Sequence, residues 1–151
     1  MTSNRDDWTT PCDLFVRLNS IFNFDLDAAS DDINALCVRH YTAKDDSPAQ
    51  RWTGSVWLNP PYGRGIGAWI SKARTESERG ASVVVLVPVR TDARWFADMW
   101  HASALVFVRG RLKFGGGKTC APFPSVIAIF GRALTDAERD ALGEIGRVIL
   151  P

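Results

Sequence analysis

Apolar and polar positions along this chain switch between two periods, and the switches mark its elements. Leu14, Phe15 and Leu18 recur at helical spacing behind Thr10-Pro11. That predicts a helix with Thr10 as N-cap, Pro11 at its first position and Asp13 near the positive end of the dipole. Phe22 to Leu26 reads as a short strand ending in Asp27-Ala28-Ala29-Ser30, residues 31–37 as one or two helical turns, and Val38 to Thr42 as a second strand. A polar loop, Lys44 to Thr53, leads into a buried strand, Ser55 to Leu58. Ile66, Trp69, Ile70 and Ala73 return to helical spacing, with Gly80 as the expected stop. Ser82 to Val87 is continuously apolar from its second residue, which suits a strand covered on both faces. Thr91 or Asp92 is the expected cap of a helix carrying Trp95, Phe96, Met99 and Trp100. Ala104 to Val108 and Ser125 to Phe130 read as strands separated by Arg109 to Pro124, and Thr135 with Glu138 has capping-box spacing for a closing helix.

Strands alternating with helices predict an α/β fold around a mostly parallel sheet. The last two strands lack an intervening helix, so one of them is expected to run antiparallel. In such sheets ligands sit beyond the carboxyl ends of the strands. The segments Asp27-Ala28-Ala29 and Asn59-Pro60-Pro61-Tyr62 both fall at strand ends and are expected to share one crevice.

At 151 residues the chain has room for one domain. Residues 1–7 are polar and expected to be disordered, leaving 8–151 as a minimal domain without a separate target-recognition module. No apolar run approaches the roughly 20 residues needed to span a bilayer, and the polar N-terminus lacks a secretory pattern. A cytoplasmic protein without a membrane partner is the expectation. Cys12, Cys37 and Cys120 show no metal-ligand spacing, and His40 and His101 are isolated, so no metal is expected. A net charge of +1 gives little global attraction to nucleic acid, so any DNA binding must use a local basic patch.

Asn59-Pro60-Pro61-Tyr62 carries the most chemistry. The lone pair of an exocyclic amine on a base is delocalised into the ring, which makes it a poor nucleophile. Two acceptors that hold its hydrogens push that lone pair outward; the Asn59 side-chain oxygen and the Pro60 carbonyl can serve. Pro60 and Pro61 stiffen the turn, and Tyr62 offers a flat face to a base swung out of its helix. The plain alternative is a turn that ends a strand and starts a loop.

Several further segments complete an ordered pattern: Trp8-Thr9-Thr10-Pro11, Phe24 to Ser30, Arg90 to Phe96, Gly110 to Gly115 and Ala121 to Val126. With Asn59 to Tyr62 they resemble the small phage-type Dam-like DNA N6-adenine methyltransferases over about residues 8–131. The resemblance implies a single Rossmann-like methyltransferase domain that takes a methyl group from S-adenosylmethionine to adenine N6 in double-stranded DNA. It implies catalytic roles for Asn59, Pro60, Pro61 and Tyr62. Thr10 and Pro11 would meet the cofactor's carboxylate, and Asp27, Ala28 and Ala29 its methionine end. Asp45 or Asp46 would accept from its adenine, Asp46 being the named candidate, and Asn59 would face the methyl group. The usual glycine-rich turn is here Ala28-Ala29-Ser30, and the ribose partner is left open among Asp31, Asp32 and Asn34.

For DNA, the basic glycine segment offers Arg109, Arg111, Lys113 and Lys118, with Phe114 expected near the target base opposite Tyr62. Arg90 and Arg94 are further candidates, although an ion pair with Asp92 or Asp98 explains them equally well. With so little chain for base reading, a relaxed sequence preference or help from a second copy in a homodimer is expected. Two other readings stand beside this one. The same fold can methylate RNA or a protein amide nitrogen, and a catalytically silent copy would only bind nucleic acid.

Overall fold

The computed structural model describes residues 8–116 and 119–151. The first seven residues and Lys118 therefore lie outside the described residues, together with the expectations placed on them. Seven strands form one sheet: β1 (Leu26–Asp27), β2 (Arg39–His40), β3 (Ser55–Leu58), β4 (Ser82–Pro88), β5 (Ala104–Val108), β6 (Ser125–Phe130) and β7 (Gly146–Ile149). Their order across the sheet is β2-β1-β3-β4-β6-β5-β7. The first four run parallel. From β4 onward every pairing is antiparallel. The antiparallel part thus exceeds the one strand expected, because β7, a short run between Ile145 and Leu150, joins the edge beside β5.

Both faces are covered, as the strand pattern requires. Val83, Val85 and Val87 of β4 face one way, into a core closed by α2 (Ile66–Glu78) through Ile66, Ile70 and Ala73. Val84 and Leu86 face the other way, toward α1 (Cys12–Phe22) and Leu142 of α3 (Asp136–Gly143). All five β4 side chains from Val83 to Val87 have no exposed surface, which accounts for the unbroken apolar run. The Thr135–Glu138 capping box of α3 forms as its spacing predicts.

Five local expectations change, the first being the second strand, which shortens from residues 38–42 to Arg39–His40. Helix α1 starts at Cys12 and runs through Phe22, so Phe22 is helical and β1 shrinks to two residues. The reason is packing: Phe22 continues the buried stripe of Leu14, Phe15 and Leu18. Thr10 does not cap α1: the helix begins at Cys12, so Pro11 takes that position with no side-chain cap, and the Thr10 hydroxyl accepts from Asn59. Residues 31–37 form turns rather than helix, organised by the Asp31 carboxylate, which accepts from the main-chain N–H groups of Ile33 and Asn34. The tryptophan-rich segment is a 3₁₀ helix, Arg94–His101, preceded by Ala93 rather than by a Thr91 or Asp92 cap. Its buried side chains, Phe96 and Met99, are three apart, the repeat that stacks on one face of a 3₁₀ turn. Trp100 is left 48% exposed.

Glu76 anchors α2 to the loop before β3. Its side chain has no exposed surface and meets Lys72 Nζ at 2.6 Å, Arg79 at 3.2 Å, Arg51 at 3.4 Å and the Trp52 main-chain N–H at 3.2 Å. Burial pushes its carboxyl up, but the bonds from Lys72 and Trp52 and the charges of Lys72 and Arg51 hold it below the ordinary value of 4.5. Glu76→Gln is expected to cost about 2 kcal/mol at pH 7 by urea unfolding, since charge-assisted bonds to a buried group are lost. A depressed carboxyl stabilises the fold above its unfolded value. The deficit of the variant should therefore shrink as pH falls through the native Glu76 titration.

Candidate active site

The carboxyl ends of the four parallel strands lie on one edge of the sheet. Registers Leu26 with Val56 and Asp27 with Trp57 set the end of β1 beside the end of β3. A cavity of about 810 Å³ opens there, lined by Asp27–Ser30 after β1, Tyr41–Ala43 after β2 and Asn59–Tyr62 after β3. Its volume is in the range that holds small-molecule ligands. The two motifs expected to share a crevice do so.

Asn59 is held from a distance. Its Nδ2 donates to the Trp8 carbonyl at 2.8 Å and to Thr10 Oγ1 at 3.1 Å. A carbonyl can only accept, so the amide nitrogen must face Trp8. The oxygen Oδ1 is then buried without a partner among the described residues. Such an orphan acceptor costs about 1–3 kcal/mol and points to a purpose other than stability. No main-chain N–H of the described residues donates to the Pro60 carbonyl.

Tyr62 is fixed by its hydroxyl, which donates to the Leu86 carbonyl at 3.2 Å. Burial pushes its phenol far above the ordinary value, so the ring is neutral and serves as a surface rather than an acid or base. Gly63, at φ 142°, carries the chain out of the turn toward α2 through backbone space that disfavours side chains. Phe114 lies in the core against Trp8, Tyr62 and Phe123, and meets the Tyr62 ring edge-on at 6.1 Å and 85°. The ring lying nearly parallel to Tyr62 is Trp8, at 6.5 Å and 24°.

Asp27 is 2% exposed. Its carboxylate accepts from the main-chain N–H of Leu36 at 3.0 Å and of Ala29 at 3.4 Å. Burial pushes its pKa up to about 6 against the opposing pull of those bonds and of nearby His40. The carboxylate thereby organises the Ala28-Ala29-Ser30 turn, a job glycines would otherwise ease. The Ala28 N–H donates to Trp57 and the Ser30 N–H to Tyr41. Asp46 lines the cavity, whereas Asp45 is spent in a capping box with Thr42. Asp31 and Asn34 also line it, bonded to each other at 2.9 Å; Asp32 instead pairs with His40 at 3.0 Å. Thr10 lines the cavity, but Pro11 does not.

Tyr41, Thr42 and Trp69 are lining residues that the sequence reading did not single out. The signal for the first two was their place immediately after a parallel strand. Trp8 carried only its place in a motif.

Four of the basic candidates follow strands that end on the same edge, and the Arg109 guanidinium donates to the Glu144 carbonyl at 3.4 Å. Arg90 follows β4, and β5, antiparallel to β6 and so parallel to β4, delivers Arg109, Arg111 and Lys113 there. All four are exposed, as is Arg94. Arg90 is 3.6 Å from Asp92, while Asp98 pairs with Arg74 at 2.9 Å. An acidic cavity carrying Asp27, Asp31 and Asp46 thus opens on an edge that also bears basic side chains. No group of three His, Cys, Asp or Glu among the described residues is placed to hold a metal ion, and no helix among them is long and apolar enough to cross a membrane.

Comparison with known proteins agrees with this geometry. The family model described as DNA N-6-adenine-methyltransferase (Dam) matches residues 1–139. The chain is similar to a DNA N-6-adenine-methyltransferase of Escherichia phage T1, 30% identical over 113 residues, which cover 72% of this chain and 47% of that protein. It is also similar to the methyltransferase-designated YfdM of Escherichia coli strain K12, 38% identical over 65 residues, 38% of this chain and 71% of that protein. The chain spans about half the length of the phage T1 relative. With the family model matching residues 1–139 of 151, and with the Asn-Pro-Pro-Tyr turn at a strand end beside a cavity, the chain belongs to the Dam family of DNA N-6-adenine-methyltransferases.

Proposed function

We propose that this protein transfers a methyl group from S-adenosylmethionine to N6 of adenine in double-stranded DNA. The observation that carries the reading is the Asn59 carboxamide, with both N–H groups engaged and a buried oxygen left free. That oxygen and the Pro60 carbonyl take the two hydrogens of the adenine amine and push its lone pair out of the ring plane toward the methyl donor. Tyr62 supplies the stacking face for the extruded base. The nitrogen becomes positively charged on methylation, and its proton then leaves to solvent, so no side chain needs to act as a strong base.

The cavity fits the donor's charge. S-adenosylmethionine carries an ammonium and a sulfonium against one carboxylate, and the lining is acidic. When bound it supplies an electrophilic methyl group on sulfur. Asp27 would hold the ammonium, Thr10 the carboxylate, Asp46 the adenine amine and Asp31 or Asn34 the ribose. Arg90, Arg94, Arg109, Arg111 and Lys113 would contact phosphates along the rim.

Labelled S-adenosylmethionine offered with unmethylated duplex DNA, RNA and protein acceptors tests this. Label is expected on DNA, recovered as N6-methyladenine. Label confined to RNA or to protein amides would move the acceptor, and DNA binding without transfer would mark a silent copy.

A further inference from the structure

We propose that Thr10 is a positioning residue for this reaction: with the Trp8 carbonyl, its hydroxyl locks the Asn59 carboxamide so that oxygen, not nitrogen, meets the acceptor amine. The inference rests on the proposed role of Asn59 and adds what makes that role selective.

A carboxamide is nearly symmetric in shape but opposite in chemistry at its two ends. Turned by half a rotation, Asn59 would present N–H groups to an amine that also needs to donate, and the nucleophile would be repelled rather than activated. The turn itself does nothing to choose between the two orientations, since neither proline has an N–H to offer. The choice comes from residues 51 and 49 positions away in sequence, whose oxygens both lie within hydrogen-bond distance of Nδ2.

The two locks differ. The Trp8 carbonyl can only accept, so it rejects the flipped amide outright. The Thr10 hydroxyl engages the second N–H, fixing the plane of the amide and drawing charge onto Oδ1, which strengthens it as an acceptor. Accepting from Asn59 leaves the Thr10 hydrogen free, so the same hydroxyl can still donate to a cofactor carboxylate. The lock also accounts for which end of the amide is orphaned: Oδ1 is left free because Nδ2 is held.

The test compares Thr10→Val, which keeps the shape and loses the hydroxyl, with Thr10→Ser, which restores it. Thr10→Ala is a second hydroxyl-free variant should the valine variant fail to fold. The valine variant is expected to lose about tenfold in kcat at saturating cofactor, with KM for DNA within about threefold; Kd for S-adenosylhomocysteine should rise as well, since the same hydroxyl donates to the cofactor carboxylate, and serine should recover most of both losses. Independently of turnover, the Asn59 side-chain NH₂ resonances should show one proton shifted upfield in the valine or alanine variant and unshifted in the serine variant. Unchanged kcat and resonances in both hydroxyl-free variants would overturn the proposal. So would a kcat that returns to the wild-type value at saturating cofactor, or failure of serine to rescue. If the wild-type protein methylates no DNA, the functional reading fails, while the resonances still report whether the lock exists.

Discussion

Asn59→Ala is expected to lower methyl transfer about a thousandfold while leaving S-adenosylhomocysteine affinity within about tenfold. The asymmetry follows from the geometry. Oδ1 has no partner among the described residues, so truncation breaks no bond that this oxygen makes in the fold, and the atom removed is the one proposed to accept from the adenine amine. The cost to the protein is confined to the Trp8 carbonyl and the Thr10 hydroxyl, which lose one donor each. Single-turnover transfer and calorimetry on the same preparation measure the two quantities. Affinity falling in parallel with rate would mean that Asn59 chiefly builds the cofactor pocket.

Asp27→Asn separates binding from stability in opposite directions. In the free protein its pKa is raised from 3.8 to about 6 by burial, so ionising Asp27 at neutral pH costs the fold about 3 kcal/mol. A raised carboxyl is neutral in the folded state where the unfolded chain is already ionised. Stability due to this group is therefore fully present below pH 3.8 and is lost as pH rises through about 6. The asparagine variant removes the charge but keeps one acceptor oxygen for the two N–H groups of Leu36 and Ala29. It is expected to exceed wild type in urea unfolding at pH 7.5 by only about 1 kcal/mol, with that advantage lost as pH falls through about 6. Binding of S-adenosylhomocysteine should weaken about a hundredfold in the same variant, as expected for loss of a charge partner to an ammonium. Wild-type affinity should itself fall as pH drops below about 6, where Asp27 takes up its proton. Equal stability of the two proteins at pH 7.5, with affinity unchanged, would remove Asp27 from the cofactor site.

The elements with strong periodic signals were legible in the chain. The strands Ser55–Leu58, Ala104–Val108 and Ser125–Phe130 fall where the apolar runs placed them, because a strand buried on both faces needs an unbroken run. The start of α2 at Ile66 and the capping box of α3 were equally visible. What escaped were short elements whose residues look the same in several conformations. The two-residue strands β1 and β2 are held by neighbours rather than by propensity, and β7 is a half-exposed edge with no apolar alternation to reveal it. The choice of 3₁₀ over α in residues 94–101 rests on a three-residue spacing of two buried side chains, Phe96 and Met99, against a surface that no local pattern describes.

The same division runs through the site. Local chemistry determined the candidates by itself: an amide followed by two prolines and a ring, a carboxylate at the end of a strand, a basic loop. Within each motif the residues lie a few positions apart, where steric and hydrogen-bonding rules act along the chain. Which acidic residue lines the cavity, which ring lies parallel to Tyr62, and which way the Asn59 amide faces were decided only by folding. Each depends on groups brought together across the sheet edge, Asp46 rather than Asp45, Trp8 rather than Phe114, and the oxygens of Trp8 and Thr10 about fifty residues away. Hydrogen bonds and ring contacts act over a few ångströms of space, and the chain order carries no direct record of that distance.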